Sequence, residues 1–272
     1  MSKPIVFLMY HELQSMGLGL VDESPGYRRY VVSKEQFAKQ LDIVSQKGFR
    51  GANVSRSLEA LGSEDTEQPF VCFTFDDGCA SDLHVAAPLL GKISFSATFY
   101  VTVEHLGKPG YLSKTELQEL NRLGFEIGSH SMTHRHLSDL DQKQIHSELV
   151  DSKQALEAIV GTAVDHFSCP GGRVNTLVIQ MALEAGYKSV ATSQLGINSS
   201  RTNPFALTRV AIKHDMNLKT FARICGGKGQ FLMKSEDSIL LTGKRILGNE
   251  RYDRLRANIL SLIDRRPASS DN

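Results

Sequence analysis

Several features that direct a chain toward particular partners or compartments are scarce in this 272-residue sequence. It contains no tryptophan, and its formal net charge is only +1, so no charge excess marks it for nucleic acid or for an anionic membrane surface. Its four cysteines show no paired spacing, which favours reduced thiols over a disulfide framework. No apolar stretch approaches the length of a membrane span, and no secretory signal is recognised at the start. We therefore expect a cytoplasmic globular protein with no nucleic-acid partner and no membrane span.

Apolar, β-branched stretches alternate with stretches of helical periodicity along most of the chain. Strands are predicted at 4–10, 70–75, 96–103, 164–167 and 206–212, among others, with helices or loops between them. This alternation predicts an α/β protein with a parallel sheet and covering helices. Because no glycine-rich dinucleotide-binding turn is present, a distorted (β/α) barrel of seven or eight strands is favoured over an open doubly wound sheet.

The chain changes character near residue 226. Residues 1–226 carry the strand–helix alternation and form the predicted barrel domain. Residues 227–272 are basic and helix-prone, and they predict a helical appendage that packs on the barrel or on a partner, including a second copy of the chain. Residues 13–32 predict a long surface loop. A helix is expected over 141–160, with the charged residues between 139 and 157 on its solvated face.

One apolar, aromatic run of the chain ends in two adjacent acids. Residues 70–75 predict a buried strand, and Asp76, Asp77 and Gly78 follow it directly. In a barrel of parallel strands, the carboxyl ends of the strands converge on one mouth, where the chemistry takes place. Other strand ends carry further candidate groups, which are His11 and Glu12, His130 and His134, the turn Pro170-Gly171-Gly172, and His214.

Two histidines and one carboxylate form a common ligand set for a divalent metal ion. Imidazole and carboxylate ligands suit Zn²⁺, our first choice here, and also Co²⁺, Ni²⁺ or Fe²⁺. Three protein ligands leave a position open for water or substrate, which is typical of a catalytic metal. One of the two aspartates would then be free to act as a general base on water. An isolated H-x-x-x-H would be a solvated loop, but its pairing with Asp-Asp at another strand end favours the metal site.

Two motifs and a turn resemble one known family. The sequences T-F-D-D-G at 74–78 and S-H-S-M-T-H at 129–134, followed by a Pro-Gly turn, resemble the polysaccharide deacetylase family, also called the NodB-homology or carbohydrate esterase family 4 enzymes. The resemblance covers roughly residues 4–225. It implies a distorted (β/α) barrel and a metal-dependent hydrolysis that removes an N-acetyl, or sometimes an O-acetyl, group from a sugar.

The resemblance also implies roles for individual residues. By position, Asp76 matches the catalytic base of the family, and Asp77, His130 and His134 match its metal ligands. The oxyanion would be held by the metal and by a backbone N–H near Gly171. The turn formed by Pro170, Gly171 and Gly172, with Arg173 beside it, is thus the expected substrate and oxyanion region.

The sequence departs from the family pattern at several points. The arginine that usually braces the catalytic base corresponds to Ser168, and we expect Arg173, shortly downstream, to supply that charge instead. The tryptophan motif of the family has no counterpart. The general acid of the family is a histidine on a late strand, which makes His214 one candidate. His11, at the end of the first strand, is an equal candidate.

The substrate class stays open at this level. The leading prediction is hydrolysis of an acetyl group from a sugar or polysaccharide precursor, in the synthesis or tailoring of a surface polysaccharide. A hydrolase of other C–N bonds, such as those of cyclic amides or ureides, is the enzymatic alternative on the same barrel. A carbohydrate-binding relic with impaired catalysis is the non-enzymatic alternative, because Ser168 replaces the bracing arginine.

Overall fold

In a computed structural model of the chain, which describes residues 3–63 and 69–228, a single curled sheet of eight parallel strands forms the centre of the fold. Its strand order is β10-β1-β5-β6-β7-β8-β9, and β4 pairs with the first half of β5, beside β6. β2 and β3 form a separate parallel pair. The strands are β1 (Val6–Tyr10), β2 (Leu13–Gln14), β3 (Val32–Ser33), β4 (Arg50–Ala52), β5 (Phe70–Phe75), β6 (Thr98–Val101), β7 (Glu126–Ser129), β8 (His166–Ser168), β9 (Ser189–Ala191) and β10 (Val210–Ala211).

The two edges of this sheet are brought together by the segment 207–211. At its start, the N–H of Leu207 donates to the Val190 carbonyl at 2.9 Å, which pairs the segment with β9. At its end, β10 pairs with β1. The sheet therefore curls around itself, and the predicted distorted (β/α) barrel is confirmed in the form of a parallel half-barrel covered by helices.

Helices connect successive strands of the sheet. Those of the described residues are α1 (Pro25–Arg28), α2 (Lys34–Gln46), α3 (Val54–Gly62), α4 (Ala87–Lys92), α5 (Lys114–Arg122), α6 (Gln142–His146), α7 (Ser152–Val160), α8 (Thr176–Glu184) and α9 (Leu218–Cys225). A π-helical turn, Ser147–Asp151, joins α6 to α7, so the long helix expected over 141–160 is present with one bulge. None of the helices in the described part of the chain is long and apolar enough to cross a membrane.

The strands are apolar on both faces because both faces are buried. In β1, the side chains of Val6, Leu8 and Tyr10 pack under the helices, whereas that of Phe7 joins the smaller cluster on the opposite face. Successive side chains of a strand point to opposite faces, so a strand buried on both sides is continuously apolar. The ring of Tyr10 stacks on that of Phe75, with centroids 5.2 Å apart, and this packing fixes the strand ends next to the site.

One predicted segment differs in the structure, and another lies almost entirely outside the described residues. Residues 13–32 are not a plain surface loop, because they contain β2, α1 and the start of β3, and the pairing of β2 with β3 holds the segment against the barrel. The described chain continues from β10 into α9 and ends at residue 228. The predicted helical appendage, 227–272, falls almost entirely outside the described residues, and the domain boundary at residue 226 stays a prediction.

Candidate active site

A cavity of about 310 Å³ opens at the carboxyl ends of the strands. Most of the candidate residues meet there: Asp76 and Asp77 follow β5, His11 follows β1, and the His130 to His134 loop follows β7. This convergence is what a parallel barrel predicts. The remaining wall comes mainly from the segment 22–30, which contributes Asp22, Ser24, Gly26, Tyr27 and Tyr30.

The turn after β5 explains how two neighbouring acids both reach this cavity. Asp77 has φ +81° and Gly78 has φ +78°, so the chain leaves its extended course at this point. An aspartate tolerates the left-handed region better than most residues do, although at some conformational cost. At Gly78 a Cβ atom would also lie only 3.0 Å from the Val101 side chain, so glycine is required there for space as well.

Asp77, His130 and His134 form the candidate metal centre. Asp77 Oδ1 lies 3.5 Å from Nε2 of His130 and 3.2 Å from Nε2 of His134. Zn–N bonds of about 2.0–2.1 Å at tetrahedral angles place ligand atoms about 3.3 Å apart, so these separations fit such an ion. Within residues 3–63 and 69–228, this is the one cluster whose potential ligand atoms lie mutually within 4.8 Å. A candidate site with one carboxylate and two imidazoles is therefore present.

The protonation of His130 suits a metal ligand. Its Nδ1 lies 2.7 Å from the Ser168 carbonyl, to which it can donate only as N–H, and Nε2 is then left with a lone pair toward Asp77. Burial lowers the pKa of His130 to about 4, so the imidazole is neutral near pH 7. For Asp77, burial acts to raise the pKa, but the hydrogen bond and charge of His134, with His11 nearby, hold it well below its usual range. Asp77 is therefore ionised.

Asp76 is held by an arginine that was not among the residues predicted from the sequence. The Arg209 guanidinium donates to it with both ends, Nη1 to Oδ1 at 2.7 Å and Nη2 to Oδ2 at 2.8 Å, and both side chains are buried. Burial alone would raise the pKa of Asp76, but Arg209, with His130 and His11 nearby, lowers it below its ordinary value. Asp76 is thus an ionised carboxylate that faces the cavity.

The expectation that Arg173 braces Asp76 is wrong. Ser168 does occupy the expected position next to Asp76, and its hydroxyl donates to Oδ2 at 3.3 Å. The same hydroxyl accepts from Nη2 of Arg209 at 2.8 Å. A serine leaves room for an arginine that arrives from the segment joining β9 to β10. Arg173 instead follows the Pro-Gly turn and does not line the cavity.

The two candidate general acids differ in position. His11 lines the cavity, its ring lies 5.0 Å from that of Tyr30, and its buried Nδ1 has no hydrogen-bond partner among the described residues. His214 is exposed and does not line the cavity, and its Nδ1 lies 3.3 Å from the Arg29 carbonyl oxygen. The structure therefore brings His11 to the site and does not bring His214 there.

The Pro-Gly turn contributes one of its residues to the cavity. Gly171 lines it with φ +64°, whereas Pro170 is buried and has no N–H to offer. The N–H of Gly172 donates to the Cys169 carbonyl at 2.7 Å, so it is already used within the turn. A Cβ atom at Gly172 would overlap Ser193, which lines the same wall. Of the three, Gly171 is the one placed to present backbone to a substrate.

Two functional candidates were missed from the sequence, and each had a signal. Arg209 lies within the predicted apolar strand 206–212, and a charged residue inside a buried strand requires a buried partner. Glu148 was expected on a solvated helix face, but it is 5% exposed and accepts three hydrogen bonds from the loop that carries His134. Its neighbours Ile145 and Leu149 are on the buried face of the helix.

A curled parallel barrel that brings a braced carboxylate and an Asp-His-His cluster to one cavity has the layout of a hydrolase. Comparison with known proteins relates this layout to a family. The sequence profile of the polysaccharide deacetylase family matches residues 63–190. The matched segment therefore resembles the NodB-type deacetylases of carbohydrate esterase family 4, and this similarity supports a hydrolase of the polysaccharide deacetylase type.

Individual relatives agree with that assignment. The Bacillus subtilis protein YxkH, which is named for this family, is 27% identical over 215 residues, covering 79% of this chain and 73% of that protein. The peptidoglycan-N-acetylglucosamine deacetylase of Bacillus cereus is 32% identical over 143 residues, covering 51% of this chain and 65% of that protein. The Streptococcus pyogenes deacetylase PplD, solved in complex with acetate, has the same fold, with a TM-score of 0.71, 24% identity and coverage of 80% of this chain and 96% of that one.

Proposed function

We propose that this protein is a metal-dependent deacetylase that hydrolyses an N-acetyl, or O-acetyl, group on a sugar of a polysaccharide or its precursor. The observation that carries the proposal is the presence, in one cavity, of the Asp77–His130–His134 cluster and of an ionised, arginine-braced Asp76. The relatives named as deacetylases support the reaction class. The donor set suits Zn²⁺ first, and Co²⁺, Ni²⁺ or Fe²⁺ also accept these ligands.

When bound, the ion would polarise the acetyl carbonyl and make water a better nucleophile. Asp76 takes the proton of that water, because it is ionised and faces the cavity. Oδ2 accepts from both Arg209 and Ser168, whereas Oδ1 carries a second lone pair besides the one that accepts from Arg209. The brace therefore orients the base and leaves Oδ1 able to accept a proton. Arg209 fixes this orientation from a fully buried position.

The leaving group of an amide needs a proton, and His11 is the residue placed to supply it. Its ring lines the cavity, and its buried Nδ1 has no hydrogen-bond partner among the described residues. The backbone of Gly171 borders the same cavity and is our candidate donor to the oxyanion. Tyr30, whose ring lies 5.0 Å from that of His11, offers an aromatic surface to a sugar ring.

Of the two alternative functions, one loses its support and the other can be tested in the same assay. The impaired-relic hypothesis depended on the loss of the bracing arginine, and Arg209 removes that reason. Hydrolysis of cyclic amides or ureides uses the same barrel chemistry, and no feature of the cavity favours it. The acetylated precursor as substrate, the cytoplasmic location and oligomerisation through residues 227–272 stay predictions, which product analysis, cell fractionation and light scattering can check.

The assay measures product release by the purified protein loaded with Zn²⁺. We expect acetate from N-acetylhexosamine oligomers or from acetylated monosaccharide precursors, and loss of that release on removal of the metal by a chelator. If the protein instead releases ammonia or ring-opened product from cyclic amides, and no acetate from any acetylated sugar, the deacetylase proposal is wrong and the cyclic-amide hydrolase is favoured. Acetate release that persists undiminished without metal would refute the metal dependence.

A further inference from the structure

The loop that carries both candidate metal-binding histidines adopts an unfavourable backbone conformation. Ser131 has φ +70° and His134 has φ +65°, and neither is a glycine. Residues other than glycine are strained in this region and persist there only where the surrounding structure holds them. Something outside the loop must therefore stabilise its shape.

The two histidines differ in how firmly they are held. The side chain of His130 is 3% exposed, and its Nδ1 is fixed by the Ser168 carbonyl. The side chain of His134 is 37% exposed, and its Nε2 lies 3.2 Å from Asp77, while its backbone N–H donates to the Ser131 hydroxyl at 3.0 Å. The position of His134 therefore depends on the conformation of the loop far more than that of His130 does.

A single buried carboxylate, that of Glu148, binds the middle of this loop. Its Oε2 accepts the N–H of Met132 and the N–H of Thr133, each at 2.9 Å, and its Oε1 accepts from the Thr133 hydroxyl. Hydrogen bonds to a charged acceptor are about twice as strong as those between neutral groups. Glu148 thus holds two consecutive N–H groups that the left-handed residues on either side turn toward the helix.

The π-helical turn explains how Glu148 comes to be there. The turn Ser147–Asp151 interrupts the helix between α6 and α7, and such bulges are frequent at functional sites. One residue further on, the Ser152 hydroxyl lies 2.9 Å from that of Ser129, at the end of β7, and donates to the Glu148 carbonyl at 2.6 Å. The helix is thereby fastened to the strand from which the histidine loop departs.

We propose that Glu148 is a positioning residue for the metal centre: it holds the loop 130–134 so that His134 reaches Asp77, and it thereby sets the metal affinity of the site. The inference rests on the proposed metal dependence. Glu148 touches neither substrate nor metal, so its effect passes through His134. Outer residues that orient metal ligands typically change metal affinity 10–100-fold when they are mutated.

The test compares Glu148→Gln with Glu157→Gln. A glutamine at 148 keeps the size but offers one acceptor oxygen and turns an NH₂ group toward an N–H donor. Glu157 is a matched control on the same helical segment: it accepts the N–H of Val164 at 3.0 Å and pairs with Lys153 at 3.1 Å, and neither of these partners belongs to the histidine loop. The dissociation constant for Zn²⁺ is measured by competition with a chromogenic chelator, the Co²⁺ absorption spectrum reports the ligand geometry, and thermal unfolding is recorded without metal.

We expect Zn²⁺ binding to weaken about 10–100-fold in Glu148→Gln, with an altered Co²⁺ spectrum, and to stay within about twofold of wild type in Glu157→Gln. Thr133→Val, which removes only the hydroxyl contact, should shift the affinity in the same direction by less, and it serves if Glu148→Gln does not fold. Wild-type affinity in both Glu148→Gln and Thr133→Val, or equal weakening in Glu157→Gln, would overturn the inference alone. Absence of metal binding by the wild type would overturn the proposed function together with it.

Discussion

Among the residues that the structure describes, histidine and carboxylate form two buried clusters, one at each end of the barrel strands. The candidate metal centre follows the carboxyl ends of β5 and β7. The second cluster consists of Thr98, Glu126, His166 and Ser189, which are the first residues of four successive strands, β6 to β9. The two clusters use similar residue types at similar burial, yet only the first borders the cavity.

Hydrogen bonding separates the two clusters. In the second cluster, Nε2 of His166 lies 2.8 Å from the Ser55 hydroxyl, and Nδ1 lies 2.9 Å from the Ser189 hydroxyl. Glu126 accepts from the N–H groups of Val54 and Ser55 at the start of α3, and from the Thr98 hydroxyl. Each ring nitrogen and carboxylate oxygen named here has a protein partner, and the carboxylate sits at the positive end of a helix dipole.

In the candidate metal centre, by contrast, three potential ligand atoms converge beside a cavity. His130, His134 and Asp77 point these atoms at one another, and Asp76 faces the same cavity. The comparison teaches that buried histidine and carboxylate do not mark a candidate site by themselves. What distinguishes the candidate metal centre is that its ligand atoms meet at a cavity that a substrate can enter.

The largest effect that would test this difference is loss of the proposed base. Replacing Asp76 by asparagine removes the proposed proton acceptor and keeps the shape, so we expect kcat to fall roughly 10²–10⁴-fold while Zn²⁺ binding is retained. Steady-state acetate release and metal content are measured on the same sample. Retained turnover would show that Asp76 is not the base.

The next effect concerns the brace. Arg209→Lys keeps a positive charge but loses the two-ended contact, so the pKa of Asp76 should rise toward its ordinary value. The acidic limb of the pH profile of kcat/KM should then move to higher pH, because the base is ionised only above its pKa. We expect a loss on the order of tenfold near the lower end of the profile.

A surface pair of similar geometry provides the control for the brace. Arg122 donates to both oxygens of Glu119, at 2.7 and 2.6 Å, but its side chain is 72% exposed. Exposed pairs contribute little, so Arg122→Lys should leave both the pH profile and the stability near those of wild type. An unmoved acidic limb in Arg209→Lys would contradict the assignment of Asp76 and Arg209 as a working pair.

The second cluster should respond in stability and not in activity. Glu126→Gln weakens the contacts to the start of α3, and we expect it to lower the free energy of unfolding by about 1–3 kcal/mol. Chemical denaturation measures that loss, and acetate release at a temperature where the variant is folded should equal that of wild type. A large fall in kcat with an unchanged unfolding free energy would reverse the comparison between the clusters.

The smallest effect is expected at an acid that belongs to neither cluster. Asp82 is fully buried, and neither carboxyl oxygen has a partner among the described residues. Burial, followed by the charges of Asp77, Glu12 and Asp76, raises its pKa well above the ordinary value, which means that the ionised form is penalised in the folded state. That penalty is present above the unfolded pKa and vanishes below it.

Asp82→Asn removes this penalty without a change of size. The variant should therefore be more stable than wild type near pH 7, by about 1 kcal/mol, and the difference should shrink toward zero as the pH falls below about 4. Denaturation at both pH values measures the change. A variant that is less stable than wild type at pH 7 would show that Asp82 is ionised and bound to a partner.

Much of the fold could be predicted from the sequence, because helices and strands leave local patterns in it. The apolar run 70–75 is continuous since both faces of β5 are buried, and a capping box formed by Ser113 and Glu116, a short sequence pattern, starts α5. The two-residue strands β2 and β3 were missed, because a pair this short has no periodicity to detect. The sequence therefore did not reveal that the segment 13–32, predicted as a surface loop, contributes a wall of the cavity.

Part of the candidate site could likewise be predicted from the sequence. The acid pair and the histidine pair form short motifs whose strand ends meet in any parallel barrel, so their convergence followed from the fold class. The Asp76–Arg209 contact spans 133 residues, and no local pattern connects them. The only clue was a lone arginine in an apolar strand, which predicts a buried partner but does not identify it.

The most direct measurement of the central claim is the Zn²⁺ content of three purified proteins: wild type, His134→Ala and Glu126→Gln. We predict about one bound equivalent in wild type and in Glu126→Gln, and its loss, together with acetate release, in His134→Ala. Wild-type protein that binds no Zn²⁺ when supplied with it, or His134→Ala protein that retains a full equivalent, would contradict the assignment of the cluster at the barrel mouth as a metal centre.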